Sequence, residues 1–118
     1  MSPEDRNPGL LWDMREAAKE VIEFVQDQSF ASFSRDKKLR YASERLLLII
    51  GEAASKLSYE FKEQHSEIPW KSIVGQRHVL AHEYGEVLVE RVWQAASKSV
   101  PELLKLLEPL VPSGPQED

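Results

Sequence analysis

Apolar side chains return every three or four positions along most of this chain, the spacing of one helix face. Leu11, Met14, Ala18, Val21, Ile22 and Val25 form such a face, and Asp13, Arg15, Glu16, Lys19 and Glu20 fill much of the other side. That predicts a first helix from Leu10 to about Gln28. Ser29–Ser34 reads as a serine-rich break holding Phe30 and Phe33. A second stripe, Leu39, Ala42, Leu46, Ile49, Ala53 and Leu57, predicts a helix from about Arg35 to Gln64. Leu47, Leu48 and Ile50 make its middle apolar nearly all round, so it should be buried on more than one side. Gly51 inside it costs about 1 kcal/mol against alanine, which a closely approaching neighbour helix would explain. After a loop at Ser66–Pro69, Trp70, Ile73, Val74, Val79 and Leu80 predict a third helix, from Pro69 to Ala81 or a little beyond, with Gly85 placed to end it. Val87 to about Lys98 forms a fourth, and Pro101 starts a short fifth packed through Leu103, Leu104, Leu106 and Leu107. No stretch alternates with period two. The expectation is an all-α, up-and-down bundle of four to five helices.

The ends read differently. Residues 1–9 hold two prolines and a glycine and are expected to be flexible; residues 112–118, PSGPQED, read as a disordered acidic tail. One helical domain over 10–111 remains. The absence of cysteine excludes disulfides and thiolate metal sites, and fits a cytoplasmic protein. MSPEDRNPG lacks the pattern of a signal peptide, and the aliphatic run Leu46–Ile50 is far too short to span a membrane. A net charge of −5 argues against a broad basic surface for nucleic acid. Only 35–45 is locally basic, where Arg35, Lys37, Lys38, Arg40 and Arg45 outnumber Asp36 and Glu44. A solvated helix face is the plain reading of that segment.

The chemistry is concentrated in GQRHVLAHEYGE, residues 75–86. His78 and His82, four apart, share a helix face; Arg77 and His82, five apart, lie roughly 140° apart around it. Arg77 and His82 converge only if the helix ends near Ala81 or another copy supplies the complement. Four readings compete. The first is a polar helix end whose histidines are hydrogen-bonded or solvated. The second is a metal site, since His78-x-x-x-His82 has ligand spacing. However, Val79 stands where HExxH needs its glutamate, and nothing fixes Glu83 or His65 as a third ligand. The third is nucleophilic hydrolysis, which lacks a GxSxG elbow. The fourth is acid–base cleavage of RNA. There a histidine moves protons near neutrality, an arginine stabilises phosphorus oxygens, and the ribose 2′-OH is the nucleophile.

RHVLAHEY (77–84) resembles the R-x4-H-x-Y motif of the HEPN superfamily, specifically its HepT-like group. LLLIIGEAASKL (46–57), IPWKSIVGQRHVLAHEY (68–84) and VWQAASKSVPELLKLLE (92–108) are similar to that group's helix-two core, motif helix and closing helices, in order. VIEFVQDQSFASFSRDKK (21–38) resembles its first helical connection. His78 stands where asparagine is common in the group, and Gly85 where a bulky aromatic is frequent. The resemblance implies a homodimer with both motifs at the interface cleft. It implies a metal-independent ribonuclease toxin in which Arg77 and His82 form the catalytic pair and His78 assists. It implies an antitoxin of the minimal nucleotidyltransferase type that transfers AMP onto the motif tyrosine, here Tyr84. The chain has no GxxxxGK[ST] loop, so ATP chemistry belongs to that partner and no cofactor is expected here.

Glu52 is either a surface glutamate or a carboxylate that pairs with Arg77 or orients His82. Arg45 and Lys71 are weaker candidates for RNA phosphates. Trp70 and Trp93 are expected in the core. A different class of function stays open beside the enzyme: a non-catalytic helical module that docks a nucleotidyltransferase. A plain structural dimer is the third.

Overall fold

The computed structural model describes residues 3–82 and 84–112. Among them every regular element is helical. A 3₁₀ turn at Pro3–Arg6 leads into α1 (Asn7–Val25). There follow α2 (Phe30–Arg35), α3 (Lys37–Lys56), α4 (Tyr59–Gln64), α5 (Trp70–His82), α6 (Gly85–Gln94) and α7 (Val100–Leu107). A π-turn at Ala95–Ser99 joins α6 to α7 without a break, so the described residues form six continuous helical pieces rather than four or five.

The two extra pieces are short, and local hydrogen bonds account for both. The break expected at Ser29–Ser34 is α2. Ser29 accepts from the Ser32 backbone N–H, and the Ser32 hydroxyl in turn accepts from the Ser29 backbone N–H. Phe33, fully buried, anchors that turn to the core. Asp36 then caps α3 by accepting from the Leu39 N–H. The long helix expected over 35–64 stops at Lys56. Ser58 is extended and caps α4, accepting from the Phe61 N–H. The first helix opens at Asn7 rather than Leu10, because Asn7 is buried against that same corner. Its side-chain oxygen accepts from the Ser58 N–H at 3.1 Å, and its amide donates to Ser58 Oγ at 3.1 Å. The expected loose stretch 1–9 is therefore helical from Pro3 onward. The expected tail lies, beyond Pro112, outside the described residues.

α3 is the central helix. It packs on α1 along one side and on α5 along the other, with α2 and α6 also touching it. Leu46, Leu47, Ile50, Ala53 and Ala54 are buried there, while Leu48 and Ile49 are half-buried. Trp70 is buried and donates its indole N–H to the His65 carbonyl; Trp93 is half-buried beside Phe33. The π-turn has a cause in Pro101. A proline ring cannot sit beneath the carbonyl four residues back, here that of Ser97. The widened turn, closed by the Val100 N–H on the Ala95 carbonyl, relieves that clash. No helix among the described residues is long and apolar enough to cross a membrane.

Candidate active site

The motif helix sits tight against α3. Gly51 is buried at the crossing, and a Cβ there would lie 2.8 Å from Arg77 Cγ and 3.3 Å from the Ile73 carbonyl oxygen. Glycine is thus what lets α5 come this close. The next residue on α3, Glu52, meets the head of the same arginine: Arg77 Nη2 to Glu52 Oε2 is 3.3 Å. Glu52 therefore pairs with Arg77 while its side chain stays on the surface, so each of its two readings holds in part. The side chains are 41% and 43% exposed, so the guanidinium keeps donors open to solvent.

The histidines occupy another side of α5. The His78 and His82 rings lie against each other, tilted by 43° with centroids 4.2 Å apart, and both are exposed. Helical geometry persists through His82. Arg77 and His82 therefore stay roughly 140° apart around the helix and do not converge within one chain. Beyond the helix end, Tyr84 is 84% exposed and extended, at the N-cap of α6. Gly85 follows with φ +71°, a left-handed value that suits glycine, and opens α6 two residues before the expected Val87.

The weaker candidates separate. Arg45 lines a groove between α1 and α3 with Asp13, Glu52 and Lys56, on the Glu52 side of the site. Lys71 is exposed in the first turn of α5, about 9 Å of helical rise from Arg77. It is not brought to the motif. His65 ends α4, its ring tilted against Phe61 with centroids 4.5 Å apart, and Glu83 lies outside the described residues. Among the described residues no three His, Asp or Glu side chains are grouped to hold a metal ion.

One feature was not foreseen from the sequence. Arg40, grouped there with a solvated basic face, is half-buried, and its Nε has no hydrogen-bond partner. It lines a second cleft with Phe30, Glu86 and Glu90, next to Gly85. Residues this far apart in sequence meet only through the packing of α2 and α6, so no local pattern announces the cleft.

The description "Ribonuclease HepT-like" belongs to a family model that matches residues 14–110. The chain belongs to this family. A relative from Methanocaldococcus jannaschii, provisionally named an RNase, is 38% identical over 84% of this chain and 91% of its own. Another provisionally named RNase, from Caldanaerobacter subterraneus, is 43% identical over 77% of this chain and 81% of its own. A Thermococcus cleftensis protein, provisionally named ribonuclease HepT, is 37% identical over 85% and 91%. No solved structure matches. The HepT-like resemblance first read from RHVLAHEY and its flanks is thus the chain's family.

Proposed function

We propose that this protein is a metal-independent endoribonuclease, the toxin of a toxin–antitoxin pair, acting as a homodimer. The observation that carries the reading is the Arg77–Glu52 pair, held at a helix crossing that only glycine permits. A guanidinium fixed in this way, with donors still open, suits the oxygens of a phosphodiester. His82 would move the proton. It would either take one from the ribose 2′-OH as that oxygen attacks phosphorus, or give one to the departing 5′-oxygen. Within one chain Arg77 and His82 face apart, so a two-fold partner would supply the missing half. The neighbouring His78 would support His82, and Arg45 beside Glu52 would meet flanking phosphate.

Tyr84 is the proposed switch. Its 84% exposure leaves the phenol reachable by a nucleotidyltransferase. AMP joined to it would add negative charge beside His82 and repel an RNA phosphate. The test combines intact mass with RNA cleavage in the presence of a chelator, before and after incubation with that partner and ATP. Cleavage should vanish as the AMP mass appears, and should persist in Tyr84→Phe. His82→Ala should abolish cleavage while leaving helicity and dimerisation intact; retained cleavage would overturn the assignment.

A docking module for a nucleotidyltransferase is the second reading. It is favoured by the exposed apolar surface of Tyr84 and Val87 at the start of α6. On that reading, motif variants lose the partner and not RNA cleavage.

A further inference from the structure

The cleft beside Gly85 has a chemistry of its own. It measures about 430 Å³ and opens between α2, the start of α3 and the first turns of α6. Phe30 lines it, 41% exposed and backed by the Trp93 ring at 6.3 Å between centroids. Glu86 and Glu90, four apart on α6, line it with two carboxylates, and neither has an ion pair among the described residues. Like charges at that spacing repel, although Glu86, in the first turn of α6, also meets the positive end of the helix. Arg40, also on the lining, completes the set with the donors of a guanidinium.

We infer that this cleft reads a guanine base of the RNA substrate, an inference that rests on the ribonuclease reading. An exposed aromatic ring is a stacking platform for any base. The polar groups then select. The Watson–Crick edge of guanine presents one acceptor, O6, beside two donors, N1–H and N2–H. Arg40 offers the donor and the glutamates offer the acceptors. Adenine and cytosine each present one amino donor beside a ring nitrogen that repels a carboxylate, and uracil sets its single donor between two carbonyls. Reading an unstacked base by its edge is the usual way proteins read single-stranded RNA. The location also fits. Gly85 is three residues from His82, at most about 11 Å along the backbone, so cleft and motif can hold one short stretch of RNA.

The experiment is an NMR titration of the full chain with guanosine, adenosine, cytidine and uridine 3′-monophosphates. Guanosine 3′-monophosphate should shift the amides of Phe30, Gly85 and Val89 and bind at least about tenfold tighter than the others. Glu86→Gln with Glu90→Gln should erase that preference, and Phe30→Ala should weaken all four by about tenfold. The glutamates are exposed, so their variants keep the fold. Equal binding of the four, or no shift at these residues, overturns the inference. Preference for the adenine nucleotide also overturns it, and would assign the cleft to an adenylate carried on Tyr84. Mapping the ends of cut RNA supplies the second arm, where a guanine excess near the cut should disappear in the double glutamate variant. A chain that binds guanosine 3′-monophosphate but cuts no RNA removes the ribonuclease reading and leaves the guanine site standing.

Discussion

Gly51 and Arg77 share a space that no larger residue could leave intact: a Cβ on Gly51 would press to 2.8 Å from Arg77 Cγ. The atom it meets is near the root of the arginine side chain, and the Ile73 carbonyl at 3.3 Å blocks retreat along α5. Gly51→Ala should therefore change activity more than stability. Alanine gains about 1 kcal/mol of helix propensity over glycine, which offsets much of the overpacking cost of about 1–3 kcal/mol. The melting temperature should fall by at most about 8 °C, while RNA cleavage drops at least tenfold as Arg77 is pushed off Glu52. Gly51→Val should lose both. Wild-type cleavage by Gly51→Ala would detach the helix crossing from the chemistry.

The Arg77–Glu52 pair predicts a split between folding and function. Both side chains are over two-fifths exposed, so the pair contributes only about 0.2–1 kcal/mol to stability. Glu52→Gln should melt within a few degrees of wild type. It should still lower cleavage, because the amide holds the guanidinium fork less firmly. Arg77→Ala should cost more, about 10²–10³ in rate, the usual loss when a preorganised donor to a charged transition state is removed. Thermal melts beside single-turnover cleavage separate the two effects. Equal cleavage by Glu52→Gln and wild type would make Glu52 a bystander.

Just beyond the C-terminal end of α3, Asn7 and Ser58 form a buried clamp between the chain's start and the α3–α4 corner. Asn7→Ala leaves the Ser58 N–H buried without its acceptor, at a cost of about 1–3 kcal/mol. That corresponds to a drop in melting temperature of roughly 4–12 °C. The exposed change Lys19→Ala should move it by no more than about 2 °C. Deleting residues 1–9 should be at least as damaging as Asn7→Ala, although the sequence predicts a flexible stretch there. A melt that ignores the deletion would show the clamp to be incidental.

The long amphipathic segments were legible because burial imposes the three-to-four spacing on α1, α3 and α5. Gly51 was legible too: an unfavourable residue in an apolar helix implied a close neighbour, and Arg77 with Ile73 is that neighbour. The corners were not. Ser58 ends one helix and caps the next only because Asn7, far away in sequence, accepts its N–H. Ser29 looked like loop chemistry, and is, but the loop closes into α2 once Phe33 is buried. Within the candidate site, spacing alone put His78 and His82 on one face. The same spacing left Glu52 undecided, since its partner belongs to another helix. Arg40 was hidden for a like reason, because α2 and α6 build its surroundings.

Glu44 carries a pH dependence of definite sign. Burial raises its carboxyl above the ordinary range, and Arg40, one helical turn back, lowers it only in part. A carboxyl raised on folding holds its proton more tightly in the native chain. Its contribution to stability is greatest below the ordinary carboxylate range and is lost as pH climbs through the raised value. At neutral pH the ionised group is a small net liability. Glu44→Gln removes the titration, so it should raise the melting temperature slightly at neutral pH relative to wild type, and the gain should vanish below the ordinary carboxylate range, at about pH 3. Melts across that range give the answer. A variant less stable than wild type at neutral pH would mean that attraction to Arg40 outweighs desolvation, reversing the order of the two effects.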